Sequence, residues 1–161
     1  MTSTEYNKCV NNYADGVYRF IYKSMGDREK ARDVVQESFS RMWEKAPEVD
    51  YEKAKSYLFS TAYHTMIDMI RKDKRSTVIE DAHLDHQVTF NTYSDLQEVL
   101  NRALDTLPGI QKVVITLRDY EGYSYEEIGK ITGLTESQVK VYIYRGRLAL
   151  KTYLGSIEKV L

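Results

Sequence analysis

The chain has 161 residues, of which 42% are hydrophobic and 29% charged, with a net charge of −1. That length holds one domain or two small ones, two prolines and eight glycines favour helices, and no apolar run is long enough to span a bilayer. The single cysteine, Cys9, excludes an intramolecular disulfide and fits a reducing compartment. The polar opening MTSTEYNK has no apolar signal core, so a cytoplasmic protein without membrane insertion is expected.

Charge is unevenly spread. Residues 1–75 carry 14 basic and 12 acidic side chains, residues 76–107 one basic and six acidic, and residues 108–161 eight basic and six acidic. Two weakly basic ends flank an acidic middle that phosphate would repel.

The periodicity predicts three helices in the first half. The first runs over 5–23, with Val10, Tyr13, Val17, Phe20 and Ile21 inward, and Met25 and Gly26 break it. Asp27 caps a second over 28–45, with Ala31, Val35, Phe39 and Met42 on the buried stripe and Trp43 beside it as an anchor. APEVDY, residues 46–51, is a loop. A third helix covers 52–73, with Ala54, Leu58, Ala62, Met66 and Ile70 inward, and it ends in the basic cluster RKDKR. Residues 76–95 have no sustained period and are acidic, so they are expected to link two lobes.

The second half begins with a helix over 96–107. Pro108 and Gly109 break it, and a further helix follows to about Tyr120, with Ile110, Val113, Val114 and Leu117 inward. Gly122 ends that helix. The stretch YSYEEIGKITGLTESQVKVYIYRGRLALK then has the form of a helix-turn-helix. Ser124 and Glu127 make one capping box, Thr135 and Gln138 a second, and Gly133 sits at the turn between them. On the second helix Val139, Ile143, Gly146 and Leu150 share one face, which turns Lys140, Tyr144, Arg145 and Arg147 outward. From Gln138 to Lys151 there are four basic residues and no acidic one. An ordinary solvated helix mixes both signs, so this face points to a nucleic-acid backbone.

These motifs match a known family. DVVQESFSRMW, followed by SYLFSTAYHTMIDMIRKDKR, resembles region 2 of bacterial sigma factors, and LNRALDTLPGIQKVVITLRDYEGYSYEEIGKITGLTESQVKVYIYRGRLALK resembles region 4. With only these two regions, the chain is similar to the extracytoplasmic-function (ECF) group. The resemblance implies an all-α fold of two small helical domains: a three-helix region 2 over 1–75 and a helix-turn-helix region 4 over 96–161, joined by an acidic linker over 76–95. It implies a protein that binds core RNA polymerase, through the β′ clamp helices and the β flap, and directs it to promoter DNA. Many members are held by an anti-sigma factor, often membrane-bound.

The resemblance also implies site residues. Asp33, Gln36 and Glu37, with Arg41 on the same side, correspond to the polymerase-binding face. The loop from Ala46 to Tyr51 corresponds to a pocket for a flipped −10 base. Tyr57, Tyr63 and His64 offer rings or donors to the opened strand, although Tyr63 has a competing core role. Arg71, Lys72, Lys74 and Arg75 suit phosphate. For the −35 element, Lys140 and Arg145 fall near base edges, with Val141 against a thymine methyl, Tyr144 beside them and Arg147 on phosphate. The family commonly has Asn in place of His64, and Ser and Arg in place of Val141 and Tyr142, so base preference is expected to differ.

Other chemistry finds little support. HLDH, residues 83–86, is one short cluster with no second set of ligands, so no metal is expected. No phosphate loop or nucleophile elbow is present, and no cofactor or enzymatic activity is implied. The competing reading is a stand-alone helix-turn-helix regulator whose N-terminal half is a helical interaction module.

Overall fold

The computed structural model describes residues 1–76 and 95–160. Among these residues every element is helical. The order is α1 (Ser3–Met25), α2 (Arg28–Glu44), a short 3-10 turn (Tyr51–Lys53), α3 (Ala54–Ser76), α4 (Asp95–Asp105), α5 (Gly109–Ile115), a π-helical segment (Thr116–Tyr120), α6 (Tyr125–Thr132) and α7 (Glu136–Val160). The acidic stretch expected as the linker, with its HLDH cluster, lies outside the described residues apart from its two ends.

Local chemistry sets the helix ends. Thr2 and Glu5 form a capping box at the start of α1, two residues before the start expected from the sequence. Gly26, at φ +72°, closes α1 by donating its N–H to the Tyr22 carbonyl at 2.7 Å. Asp27 Oδ1 accepts the Lys30 N–H at 3.1 Å and opens α2.

The buried side of α2 is Ala31, Val34, Ser38, Phe39 and Met42, with Val35 only partly covered. The expected stripe through Val35 is therefore rotated by about one residue. Ser38 makes this possible: its hydroxyl donates to the Val34 carbonyl at 2.7 Å, so a small polar side chain enters the core already satisfied. The rotation leaves Trp43 outside, 53% exposed, with its ring 4.9 Å from that of Tyr6. Trp43, expected beside the stripe as an anchor, is a half-covered surface residue packed against Tyr6 of α1.

α3 is covered on two sides. It packs against α1 and α2, and also against α6. Ala54, Leu58, Ala62 and Met66 are buried as expected, and Phe59 and Tyr63 are buried as well. Phe59 is wedged between Phe20, at 5.7 Å between ring centroids, and Tyr123, at 5.2 Å. Lys30 and Asp73 pair at 2.8 Å and tie α2 to the end of α3. The two halves of the chain consequently share one continuous apolar core that includes Phe20, Phe59, Tyr123 and Ile128.

In the second half, α5 and α7 meet at Gly146, where a Cβ would come within 2.3 Å of Ile115 Cδ1. A smaller cluster of Leu104, Leu107 and Ile115 receives Leu150 from α7. The helix expected to run unbroken to Tyr120 changes pitch after Ile115. The Glu121 N–H reaches back five residues to the Thr116 carbonyl at 3.1 Å, and the Tyr123 N–H reaches the Leu117 carbonyl at 3.0 Å.

Candidate nucleic-acid interface

The helix-turn-helix is built from its caps outward. The Glu127 N–H donates to Ser124 Oγ at 3.1 Å while the Ser124 N–H donates to Glu127 Oε1 at 3.3 Å, which fixes the start of α6. Gly133, at φ +81°, ends α6 by donating to the Gly129 carbonyl at 2.8 Å. Thr135 and Gln138 repeat the box at the start of α7, at 3.1 Å and 2.9 Å. Val139 and Ile143 are buried against α6, and Leu134 packs partly covered at the corner. With the inner face fixed, the phase of the outer face follows.

That outer face divides along two shallow grooves. Tyr125, Lys140, Tyr144, Arg147, Leu148 and Lys151 line one. Ser137, Gln138, Val141, Tyr142 and Arg145 line the other. Tyr144, 69% exposed, is the most open of the large hydrophobic side chains here, and Val141 and Leu148 are exposed beside it. Apolar and aromatic groups interleave with cations, as a surface that meets bases and phosphates requires. Ser137 shares the side of Val141 and Arg145. It carries neither charge nor ring, so only its place in the first turn of α7 could have marked it in the sequence.

The cations are not equally placed. Lys140 Nζ lies 3.5 Å from Glu136 and 5.8 Å from the centre of the Tyr125 ring, in an exposed i,i+4 pair worth little in water. Arg147 donates Nε to Asp119 Oδ2 at 3.3 Å and a second nitrogen to Oδ1 of the same carboxylate. That hydrogen bonding to Asp119 raises the Arg147 pKa and holds the guanidinium across 28 residues of sequence. Among the described residues no hydrogen bond or ion pair engages Arg145, which is exposed.

On the first half, Asp33, Gln36, Glu37 and Arg41 are all exposed on one side of α2. Glu37 and Arg41 form an i,i+4 pair at 2.9 Å. On α3, His64 is exposed and sits edge-on to Tyr63 at 5.4 Å, whereas Tyr63 itself is buried and Tyr57 is half-buried. Burial raises the Tyr63 pKa. Its ring is committed to packing and gives no open stacking surface for a base in this arrangement. Arg71, Lys72 and Lys74 are exposed at the end of α3. The Arg75 side chain lies outside the described part. In the loop expected to hold a flipped base, Ala46 and Val49 are buried while Pro47, Glu48 and Asp50 are exposed.

Both halves match family models. "Sigma-70 region 2" matches residues 9–76, and "Sigma-70, region 4" matches residues 97–150. The RNA polymerase sigma factor SigV of Bacillus subtilis is 30% identical over 149 residues, 91% of this chain and 89% of its own length. The chain belongs to the ECF group of RNA polymerase sigma factors. The ECF sigma factor SigM of B. subtilis is similar, at 29% identity over 86% of this chain and 88% of its own. SigE of Mycolicibacterium smegmatis is 31% identical over 93% of this chain, which spans 62% of that relative's length.

Two solved structures share the fold. RpoE of Bartonella quintana, solved with the anti-sigma factor NepR, aligns with a TM-score of 0.75 at 24% identity, covering 92% of this chain and 96% of that one. CnrH, solved with the cytosolic domain of CnrY, aligns at 0.68 and 18% identity, covering 94% and 88%. As an alternative sigma factor, this chain directs promoter recognition at transcription initiation, a non-enzymatic role in its family. The reading as a stand-alone regulator is not favoured, because the N-terminal half matches region 2. Among the described residues no helix is long and apolar enough to cross a membrane.

Proposed function

We propose that residues 1–75 bind core polymerase and open the −10 element, that 96–161 read the −35 element, and that 76–95 join them. The observation that carries this reading is the doubly capped helix-turn-helix. Its second helix buries Val139, Ile143 and Gly146 and so presents Lys140, Val141, Tyr144 and Arg145 together. Entering the major groove with that face, α7 sets Lys140 and Arg145 at base edges and Val141 at a thymine methyl. Arg147 keeps free donors after its two bonds to Asp119, so the same side chain reaches a phosphate.

The α2 face of Asp33, Gln36, Glu37 and Arg41 docks on the β′ clamp helices, and region 4 sits on the β flap. On α3, His64 and Tyr57 meet the separated strand, Tyr63 positions His64 from below, and Arg71, Lys72, Lys74 and Arg75 hold phosphates. Strand opening is then driven by binding: contacts made only to the unpaired strand favour it over duplex. The protein works in the cytoplasm, and its partners include an anti-sigma factor, as in the solved RpoE–NepR complex that shares its fold. Run-off transcription from genomic fragments, with core polymerase alone and with this protein added, tests the proposal. Discrete new transcripts are expected on addition. A competent core that yields none would overturn it.

A further inference from the structure

An acidic side chain from another element lies against the basic face of α7. Asp119 belongs to the π-helical segment Thr116–Tyr120 and precedes Arg147 by 28 residues. Its two carboxylate oxygens accept from Nε and from one terminal nitrogen of Arg147. On a surface meant for phosphate a carboxylate is a poor choice on charge alone, because it repels the ligand.

Several features of the fold deliver it there. Gly146, next to Arg147, lets α7 close on α5, since a Cβ at that position would overlap the Ile115 side chain. The wider pitch after Ile115, marked by the Glu121 N–H bonded to the Thr116 carbonyl at 3.1 Å, places an extra residue in the turn that carries Asp119. Arg118 Nη1 donates to the Tyr123 carbonyl at 2.9 Å and pins the end of the same segment. The Arg118 guanidinium also lies 4.7 Å from the centre of the Tyr125 ring, so the segment is tied to the start of α6.

The bond does more for placement than for stability. With Arg147 48% and Asp119 39% exposed, the pair contributes little to folding. It does fix a long side chain that otherwise samples many rotamers. Two of the five guanidinium N–H groups are engaged, and the rest are left for the groove that Arg147 lines with Tyr125, Lys140, Tyr144 and Lys151. An arginine already ordered loses less freedom when DNA arrives. The carboxylate charge is neutralised at contact by the guanidinium it holds, and salt screens what remains within about 8 Å.

We propose that Asp119 is a positioning residue for promoter binding. It acts through Arg147, holding the guanidinium so that its remaining donors meet a backbone phosphate beside the −35 element. The inference rests on the reading of α7 as the −35 helix and of Arg147 as its phosphate contact.

Holoenzyme assembled from core polymerase and the full chain provides the test, with a promoter fragment recovered by the run-off transcription described above and a salt titration of binding. Asp119→Asn should weaken binding about threefold or more and make the salt dependence shallower by about one in log–log slope. The loss should be the same on fragments with single −35 base changes, because phosphate carries no sequence. Its sign is decisive, since a simple charge effect predicts tighter binding from the same substitution. In an Arg147→Ala background Asp119→Asn should no longer weaken binding, because nothing is left to position. Asp119→Glu, which keeps the charge, should recover most of the loss. Core affinity should be unchanged in all of them, and the melting temperature of Asp119→Asn should move by no more than about 3 °C. Binding that tightens or stays the same in Asp119→Asn overturns the proposal, and so does an equal weakening with and without Arg147. Wild-type holoenzyme indifferent to every −35 change would instead remove the reading of α7 itself, and the inference with it.

Discussion

Phe59→Ala tests the shared core most directly. The ring is 1% exposed and lies between Phe20 on α1 and Tyr123 ahead of α6. Truncating a buried phenylalanine to alanine costs about 3–5 kcal/mol. At about 2.1 cal/mol/K per residue, a two-state transition of the whole chain would fall by roughly 12 °C for a loss of about 4 kcal/mol. Thermal melting followed by circular dichroism measures this, with Phe59→Leu as a volume-matched control expected to lose less than about 1.5 kcal/mol. A double-mutant cycle with Tyr123→Leu then isolates the contact between the halves, and a coupling of about 0.5–1.5 kcal/mol is expected for an edge-on aromatic pair. A melting shift of only two or three degrees, or a coupling indistinguishable from zero, would refute the reasoning that α3 is buried on two sides.

Gly129→Ala should destabilise the helix-turn-helix despite the better helix propensity of alanine. Its Cβ would meet the Leu134 carbonyl oxygen at 2.8 Å, and backbone at a turn cannot rotate aside. Overpacking of about 1–3 kcal/mol against a propensity gain of about 1 predicts no gain and a net loss in urea titrations; a more stable variant would contradict this. Lys140→Ala and Arg145→Ala, measured in polymerase holoenzyme, should each relax discrimination at −35 positions by about 1–3 kcal/mol while leaving core affinity unchanged. Equal loss on every sequence would mean the side chain touches only phosphate. The Lys30–Asp73 pair should show a flat contribution at neutral pH. Its hydrogen bond to Asp73 raises Lys30 above its ordinary value of 10.5, so the stabilisation is complete below that value and is lost as pH rises through the raised one. Comparing Lys30→Met with the parent across pH 7–11 checks this, and a difference that changes below pH 9 would reject it.

The parts of the fold that were legible in the sequence are the parts fixed by near neighbours. Both capping boxes of the helix-turn-helix involve residues three apart, and Gly133 announces its own left-handed turn. The inner stripe of α7 follows from a helix with one partner layer. Phe59 escaped the same reasoning because a single-stripe reading allows α3 only one buried side, and the same reading left Tyr63 divided between packing and stacking. Val34 was passed over for Val35 because a serine at 38 looks like a surface residue until its hydroxyl is seen to bond the Val34 carbonyl. The bond between Arg147 and Asp119 spans 28 residues and depends on the pitch change after Ile115, which no local pattern signals. On the α2 face and at the end of α3, sequence could place cations and carboxylates on a surface. Contact with polymerase or DNA depends on molecules the chain alone does not specify.

Trp43 gives the molecule an optical reporter of its own. It is the chain's sole tryptophan. It stands half in water against Tyr6, on the helix that carries Asp33, Gln36, Glu37 and Arg41. Its emission comes from one known place, with no labelling chemistry and no substitution in the core. A partner that covers this end of α2 will shift that emission to the blue, and one that grips only the helix-turn-helix will leave it alone. Titrations with partners that themselves lack tryptophan can therefore tell which end of the protein has been taken.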